Sequence, residues 1–434
     1  MDEQSLVAII GCAAVLVLMF MRVQIAVCLG SVAFIGFGYL AGWEPALGIL
    51  VDSPIRTVTN FNFAVIPLFV LMGTLVGTSG MSRELFRAAN AWIGHLPGGM
   101  AMATVAACGG FAAINGSSVA TAATMTQVAL PEMRRAGYDS GLAAGVIAAG
   151  GTLGILIPPS VMFILYSIIT EESLEQLFVA GILPGLLAIT LYCTTVQVLY
   201  RVKRSWMPAT RRADWIERWK SLKDIWATLL LFGLVVGSIY GGIVTVSEAA
   251  GLGVLGALVI GIARRRLTWA KIIEALVDSL RTSAAIFFIL IGAFLFQYFL
   301  AVTQAPQRLG SALSELPIGP TGVVILIMVF YIIAGMFVDG LAVVLLTIPI
   351  FHPVVIDLGL DPIWFGVLLV TTVEIGLISP PIGIICFVMN NMTGDIGLGR
   401  IFRGVLPFIG ADIVRLTLLV SFPGISLYLV NTMT

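Results

Sequence analysis

The sequence predicts an all-α integral membrane protein, built as inverted repeats of transmembrane helices with two re-entrant helical hairpins and two broken helices. Three observations predict it. Of 434 residues, 59% are hydrophobic and 11% charged, against about 25% charged in a soluble domain. Apolar runs recur from end to end, each near the ~20 residues that a spanning helix needs. The two halves of the chain also match each other in order, at a separation of roughly 220 residues.

Full-length spans are expected near 5–21, 23–41, 61–80, 140–170, 178–200, 226–242, 244–263, 281–302, 362–392 and 401–430. The first run follows Met-Asp-Glu-Gln-Ser, with no basic n-region and no small-residue cleavage site. It therefore reads as a retained helix and not as a signal peptide. Prolines interrupt 140–170 and 362–392, which makes them the broken helices. The stretches 99–133 and 319–355 carry a polar, glycine-bearing break at their centre. Each half reads as short for a crossing, so each stretch is expected to enter and leave on one side.

Charge placement supports ten crossings plus two hairpins. With the N-terminus outside, the cytoplasmic loops collect 20 of the 23 Lys and Arg residues, among them Arg134, Arg135, Arg264, Arg265, Arg266 and Arg400. This obeys the positive-inside rule. Counting either hairpin as one crossing breaks the pattern. Both termini are then periplasmic, and the chain sits in a bacterial inner membrane with lipid around it. Segments 82–96, 215–226 and 267–283 read as short amphipathic helices at the interface; Trp215, Trp219 and Trp226 share one face of the second.

The repeat divides the chain into 1–210, a linker at 211–225, and 226–434. Val23, Ala26 and Gly30 match Val246, Ala249 and Gly253. Leu-Val-Asp-Ser at 50–53 recurs at 276–279. Pro131, Gly137, Asp139, Pro158 and Pro159 match Pro353, Gly359, Asp361, Pro380 and Pro381, all 222 apart. Five crossings per half, an odd number, turn the second half upside down. Inverted repeats with broken helices mark secondary transporters, with sites near the midplane.

The candidate site lies at the hairpin tips and the helix breaks. Glycine and proline at membrane depth free backbone groups, which must then line protein or a polar cavity. Carbonyl and hydroxyl oxygens there suit a hard cation such as Na⁺, and half-helix N-termini suit a carboxylate. Cation ligands are expected from Gly116, Ser117, Ser118, Gly151 and Gly154 in the first half. In the second they are expected from Gly335, Asp339, Gly340, Thr371 and Gly376. Substrate contacts are expected from Asn115, Ser117, Thr152, Ser160 and Thr372. Asp339 is the sharpest of these, because an intramembrane carboxylate is costly without a cation or partner. Asp412 and Arg415 read as a structural ion pair within the last helix. His95 and His352 read as structural, and the five cysteines as small buried hydrophobes.

Zero net charge points to no nucleic-acid partner. No HExxH, GxSxG or P-loop occurs, so the chain reads as neither a hydrolase nor a P-loop ATPase.

At these same residues the sequence resembles the large membrane (M) subunit of tripartite ATP-independent periplasmic (TRAP) transporters. The resemblance covers essentially the whole chain. It is carried by Pro67 to Gly73, by Phe111-Ala-Ala-Ile-Asn115-Gly116-Ser117-Ser118, and by Gly150-Gly151-Thr152-Leu-Gly154 through Pro158-Pro159-Ser160. Thr245-Val-Ser247-Glu248 and Gly394-Asp395-Ile396 also match. Asn115 stands where the family usually has serine, and Val246 where it often has proline. The resemblance implies an elevator-type transporter with Na⁺ coupling. It also implies a separate small four-helix membrane subunit (Q) and a periplasmic substrate-binding protein. The expected cargo is a small organic acid. A stand-alone ion-coupled carrier of similar architecture is the alternative, and an intramembrane enzyme ranks below it.

Overall fold

The computed structural model describes residues 3–208 and 212–433. Residues 1, 2 and 434, at the two termini, and 209–211, where the linker is expected to begin, lie outside the described residues. Among the described residues every regular element is a helix.

The first half opens with α1 (Glu3–Phe20), α2 (Ile25–Ala41), α3 (Trp43–Thr59), α4 (Val65–Ser79) and α5 (Met81–Ile93). A helical hairpin follows, α6 (Gly99–Asn115) and α7 (Ser118–Arg135). Then come α8 (Ser140–Leu156), a Pro-Pro break, α9 (Val161–Thr170) and α10 (Leu174–Val202). After α11 (Trp215–Asp224) the second half runs α12 (Trp226–Tyr240), α13 (Val246–Ala263), α14 (Trp269–Thr303) and α15 (Ala305–Ser314). A second hairpin follows, α16 (Gly319–Phe337) and α17 (Gly340–Asp357). The chain ends with α18 (Pro362–Ile378), a second Pro-Pro break, α19 (Ile384–Thr393), α20 (Leu398–Ser421) and α21 (Gly424–Asn431). Among the described residues nine helical spans are long and apolar enough to cross a membrane, or ten if α11 and α12 count as one bent span.

Local chemistry sets these boundaries. Asp139, Ser160, Asp361 and Asp339 stand just before α8, α9, α18 and α17, and each side chain accepts a bond from an amide of the first turn. Such caps satisfy donors that a helix start leaves free. Proline has no N–H to donate, so Pro158-Pro159 and Pro380-Pro381 end α8 and α18.

Four expectations change. Residues 43–59, assigned to none of the expected spans, form α3. It was hidden because its pattern is inside out: small Ala46, Ser53 and Thr57 are buried while Leu47, Val51, Ile55 and Val58 are exposed. The expected interfacial helix 267–283 and the span 281–302 are one helix, α14, of 35 residues, ~52 Å at 1.5 Å per residue. The expected span 401–430 is divided into α20 and α21 by Phe422 and Pro423. The arms of the second hairpin have 19 and 18 residues. Each is long enough to cross on its own, so length does not make them re-entrant.

Burial separates two groups of helices. Helices α8 and α18 are buried along almost every residue and pack on each other. Helices α6, α7, α10, α16, α17 and α20 surround them. In a second group α14 packs on α2, α3 and α4, and α13 on α4 and α12. The outer faces of α1, α3 and α12 are apolar and exposed, with Ile9, Ile10, Leu229 and Leu230 about half exposed. An apolar band on the outside fits lipid as the solvent.

Candidate functional site at the hairpin tips

The first tip is closed by Gly116, whose φ of +66° is a left-handed conformation that side chains resist. A Cβ there would stand 2.7 Å from the Pro159 carbonyl oxygen. Ser117 caps α7, its Oγ accepting from the Ala120 amide at 3.4 Å. Ser118 Oγ donates to the Thr152 carbonyl at 3.2 Å. Asn115 Nδ2 donates to the Ser117 carbonyl and to Thr121 Oγ1, both at 3.3 Å. A Cβ on Gly154 would lie 2.6 Å from the Ser117 carbonyl, and one on Gly151 2.7 Å from Ala122. The Val161 amide donates to the Gly116 carbonyl at 3.4 Å. The structure therefore seats the first tip on α8 and on the break before α9. Ser160 is fully buried, with Oγ donating to the Ile155 carbonyl.

The second tip is also capped by a short polar side chain, but its backbone turns differently: Val338 is extended where the first tip has left-handed Gly116. Asp339 caps α17, accepting from the Leu341 amide at 3.0 Å, and stands 222 residues after Ser117. Among the described residues no cation pairs with it. Gly335 crosses Gly376 closely enough that a Cβ on Gly376 would lie 2.7 Å from the Gly335 Cα. A Cβ on Gly340 would meet Val373 at 2.6 Å and Met162 at 3.3 Å. Met162 follows the first break, so the second tip touches the first half there. Thr372 Oγ1 donates to the Leu368 carbonyl at 2.6 Å. Thr371 Oγ1 is buried with no hydrogen-bond partner.

A buried polar chain lies behind both tips. Thr152 Oγ1 is 3.1 Å from the Tyr192 hydroxyl, which donates to the Asp412 carboxylate at 2.8 and 2.9 Å. Arg415 Nη2 is 3.0 Å from Asp412 and 3.2 Å from Glu374. The expected Asp412–Arg415 pair is present and extends to Glu374, four residues before the end of α18. Tyr192 was not singled out in the sequence, where it is one tyrosine in an apolar helix and nothing local pairs it with Asp412, 220 residues on.

Other polar residues have structural partners. Glu248 completes a capping box with Thr245. His352 lies 3.4 Å from Glu172, and His95 3.3 Å from Arg218. The five cysteines are free thiols. Two cavities, of about 1050 and 970 Å³, open elsewhere. Arg56, Asn60, Glu171 and Tyr298 line the first; Arg83, Arg87, Arg135 and Lys220 line the second. None of the expected site residues lines either. Among the described residues no group of three or more His, Cys, Asp or Glu could hold a metal ion. A hard-cation site here would therefore rest on backbone and hydroxyl oxygens with Asp339, a donor set that Na⁺ accepts.

These features define a multi-pass, all-helical membrane protein with paired hairpins and paired broken helices. Its fold is similar to that of the Alcanivorax borkumensis YdaH transporter, with a TM-score of 0.62 and 15% identity over 88% of this chain and 89% of that one. The family model "Tripartite ATP-independent periplasmic transporter, DctM component" matches residues 12–425, and the chain belongs to that family. It is 36% identical to the C4-dicarboxylate TRAP transporter large permease protein DctM of Pseudomonas aeruginosa, over 90% of this chain and 93% of that protein. It is 31% identical to the isethionate TRAP transporter permease protein DctMQ of Oleidesulfovibrio alaskensis, over 94% of this chain and 64% of that protein. The family is one of transporter subunits and not of enzymes.

Proposed function

We propose that this chain is the translocating subunit of a sodium-coupled secondary transporter that imports a small organic acid. The observation that carries the reading is the paired arrangement of oxygen-rich tips, each packed on a fully buried helix, in a chain of this family. The two relatives are named for a dicarboxylate and a sulfonate, which supports an anionic cargo. A periplasmic binding protein delivers it, and a small membrane subunit, Q, braces the chain. In this reading residues 1–210 and 226–434 are inverted repeats joined by 211–225, the hairpins are re-entrant, and both termini are periplasmic. The buried group around α8 and α18 carries the cargo as an elevator past the group around α4 and α14. Gly116, Ser117, Ser118, Gly151 and Gly154 serve one Na⁺ site. Gly335, Asp339, Gly340, Thr371 and Gly376 serve the other, and Asn115, Thr152, Ser160 and Thr372 lie toward the substrate.

The test is uptake into vesicles holding the chain with its small subunit, the binding protein outside. Accumulation should require an inward Na⁺ gradient. Equal uptake in a K⁺ gradient would refute the coupling. Undiminished uptake by the chain alone would favour a stand-alone carrier. The membrane potential is worth ~2.3 kcal/mol per charge per 100 mV. If Na⁺ carries more charge than the substrate, steady-state accumulation rises as valinomycin clamps the interior more negative.

A further inference from the structure

The chain of contacts behind the tips crosses from one half of the molecule to the other. It starts at Ser118 on the first tip, whose Oγ bonds the Thr152 carbonyl. It continues through the Thr152 hydroxyl, the Tyr192 hydroxyl, Asp412 and Arg415 to Glu374. Glu374 lies on α18, one turn after Thr371 and two residues before Gly376, which crosses Gly335 of the second hairpin. From Thr152 to Glu374 every member is fully buried. In that setting each bond is electrostatically strong and each missing one costly.

The chain is also incompletely paired. Arg415 Nε and Nη1, Glu374 Oε1 and Thr371 Oγ1 are buried without partners. Two donors on one side chain and acceptors on the α18 side leave room for a second pairing pattern. An alternative pairing that leaves as many of these groups unmade would differ little in energy from this one. Elements with two discrete arrangements are what couple distant sites.

We propose that Tyr192 and the Asp412–Arg415 pair are positioning residues that tie the first hairpin tip to α18, so that cation binding at one tip is felt at the other. The inference rests on the sodium-coupled reading above. Tyr192 touches neither tip, and its ring packs edge-on against Phe408 with centroids 5.7 Å apart. Tyr192→Phe keeps that packing and removes one hydroxyl.

The experiment is a Na⁺ titration of uptake in the reconstituted complex, wild type beside Tyr192→Phe, with thermal stability measured on the same preparations. The expected result is a Na⁺ half-saturation raised about tenfold, the size of one lost hydrogen bond to a charged group. The Na⁺ cooperativity should fall and the melting temperature should drop modestly for the lost buried bond, while the maximal rate stays near wild type. An unchanged Na⁺ curve overturns the inference. So does a loss of stability and maximal rate with Na⁺ half-saturation and cooperativity unmoved, because that is the signature of a packing role alone. Arg415→Lys keeps the charge but not the planar fork, and it is read the same way should Tyr192→Phe fail to assemble. Wild-type uptake indifferent to Na⁺ removes the sodium-coupled reading itself, before any variant is compared.

Discussion

From Trp43 to Ser79 the chain forms two helices, α3 and α4, bent at Asn60–Ala64. The matching stretch from Trp269 to Thr303 is the single helix α14. Leu-Val-Asp-Ser occurs in both, and Ala64 matches Ala284. Eleven positions separate Ser53 from Ala64, but only five separate Ser279 from Ala284. The first half thus carries six extra residues, about 1.7 turns of helix. An uninterrupted helix would have pointed the buried face of α4 away from α13 and α14. The bend absorbs the extra turn. Asn60 stabilises it by accepting from the Asn62 amide at 3.0 Å. Asn60, Asn62 and Phe63 then line the 1050 Å³ cavity. The same sequence pattern gives one continuous helix in one half and a cavity wall in the other.

The hairpin tips sharpen this comparison, because there the halves differ in backbone turn and in charge but not in length. Asp339→Ser converts the second tip to the first tip's capping residue. The cap survives and the carboxylate does not. Na⁺-driven uptake should fall about a hundredfold, equivalent to about 3 kcal/mol at a charged ligand, with assembly intact. Ser117→Ala, at the matching position, should cost far less. Full activity of Asp339→Ser would put Asp339 outside the mechanism.

The two tip glycines differ in backbone strain. Gly116 has φ of +66° and faces a carbonyl oxygen; Gly340 faces the side chains of Val373 and Met162. Gly116→Ala should destabilise the purified protein by about 1–3 kcal/mol, and Gly340→Ala by less, since side chains can move. Equal melting temperatures for the two variants would contradict the assigned geometry.

At the bend, Asn60→Ala should cost about 1 kcal/mol, the usual loss of a helix cap. Ser283→Ala in the unbroken helix should be near neutral, since the Ser283 hydroxyl is unpartnered. Thermal unfolding of both variants checks the contrast.

The smallest effect concerns the ion pairs between halves. Asp139 pairs with Arg400 at 2.6 Å and Arg134 with Asp395 at 2.9 Å. Burial pushes the Asp139 carboxyl up, but the Leu142 amide and Arg400 outweigh it and hold it below the usual carboxylate range. A carboxylate lowered by folding contributes stability at neutral pH that is lost as pH falls through that range. Arg400→Gln should therefore melt slightly below wild type at neutral pH, and the gap should close in acid. A gap that widens in acid would reverse the sign.

The turns, caps and helix breaks around the candidate site were legible because their signals are local. Paired prolines, Gly-Ser tips and the capping residues Ser117, Asp339, Asp139 and Asp361 act within a few positions of themselves. The pairing of Glu374 with Arg415, 41 residues on, is not local, nor is that of Tyr192 with Asp412.

By itself the sequence determined the membrane class, most of the helices, the two hairpins and the two breaks. Hydropathy, proline and glycine act through the backbone they sit in. Only the tertiary structure decided that α3 is a helix with its small face buried, that α14 is continuous, and that one buried chain of polar groups joins the halves. The physical reason is common to the three. A helix's buried face, its continuation past an interface and the partner of a buried charge are set by what packs against them, and those neighbours lie tens to hundreds of residues away along the chain.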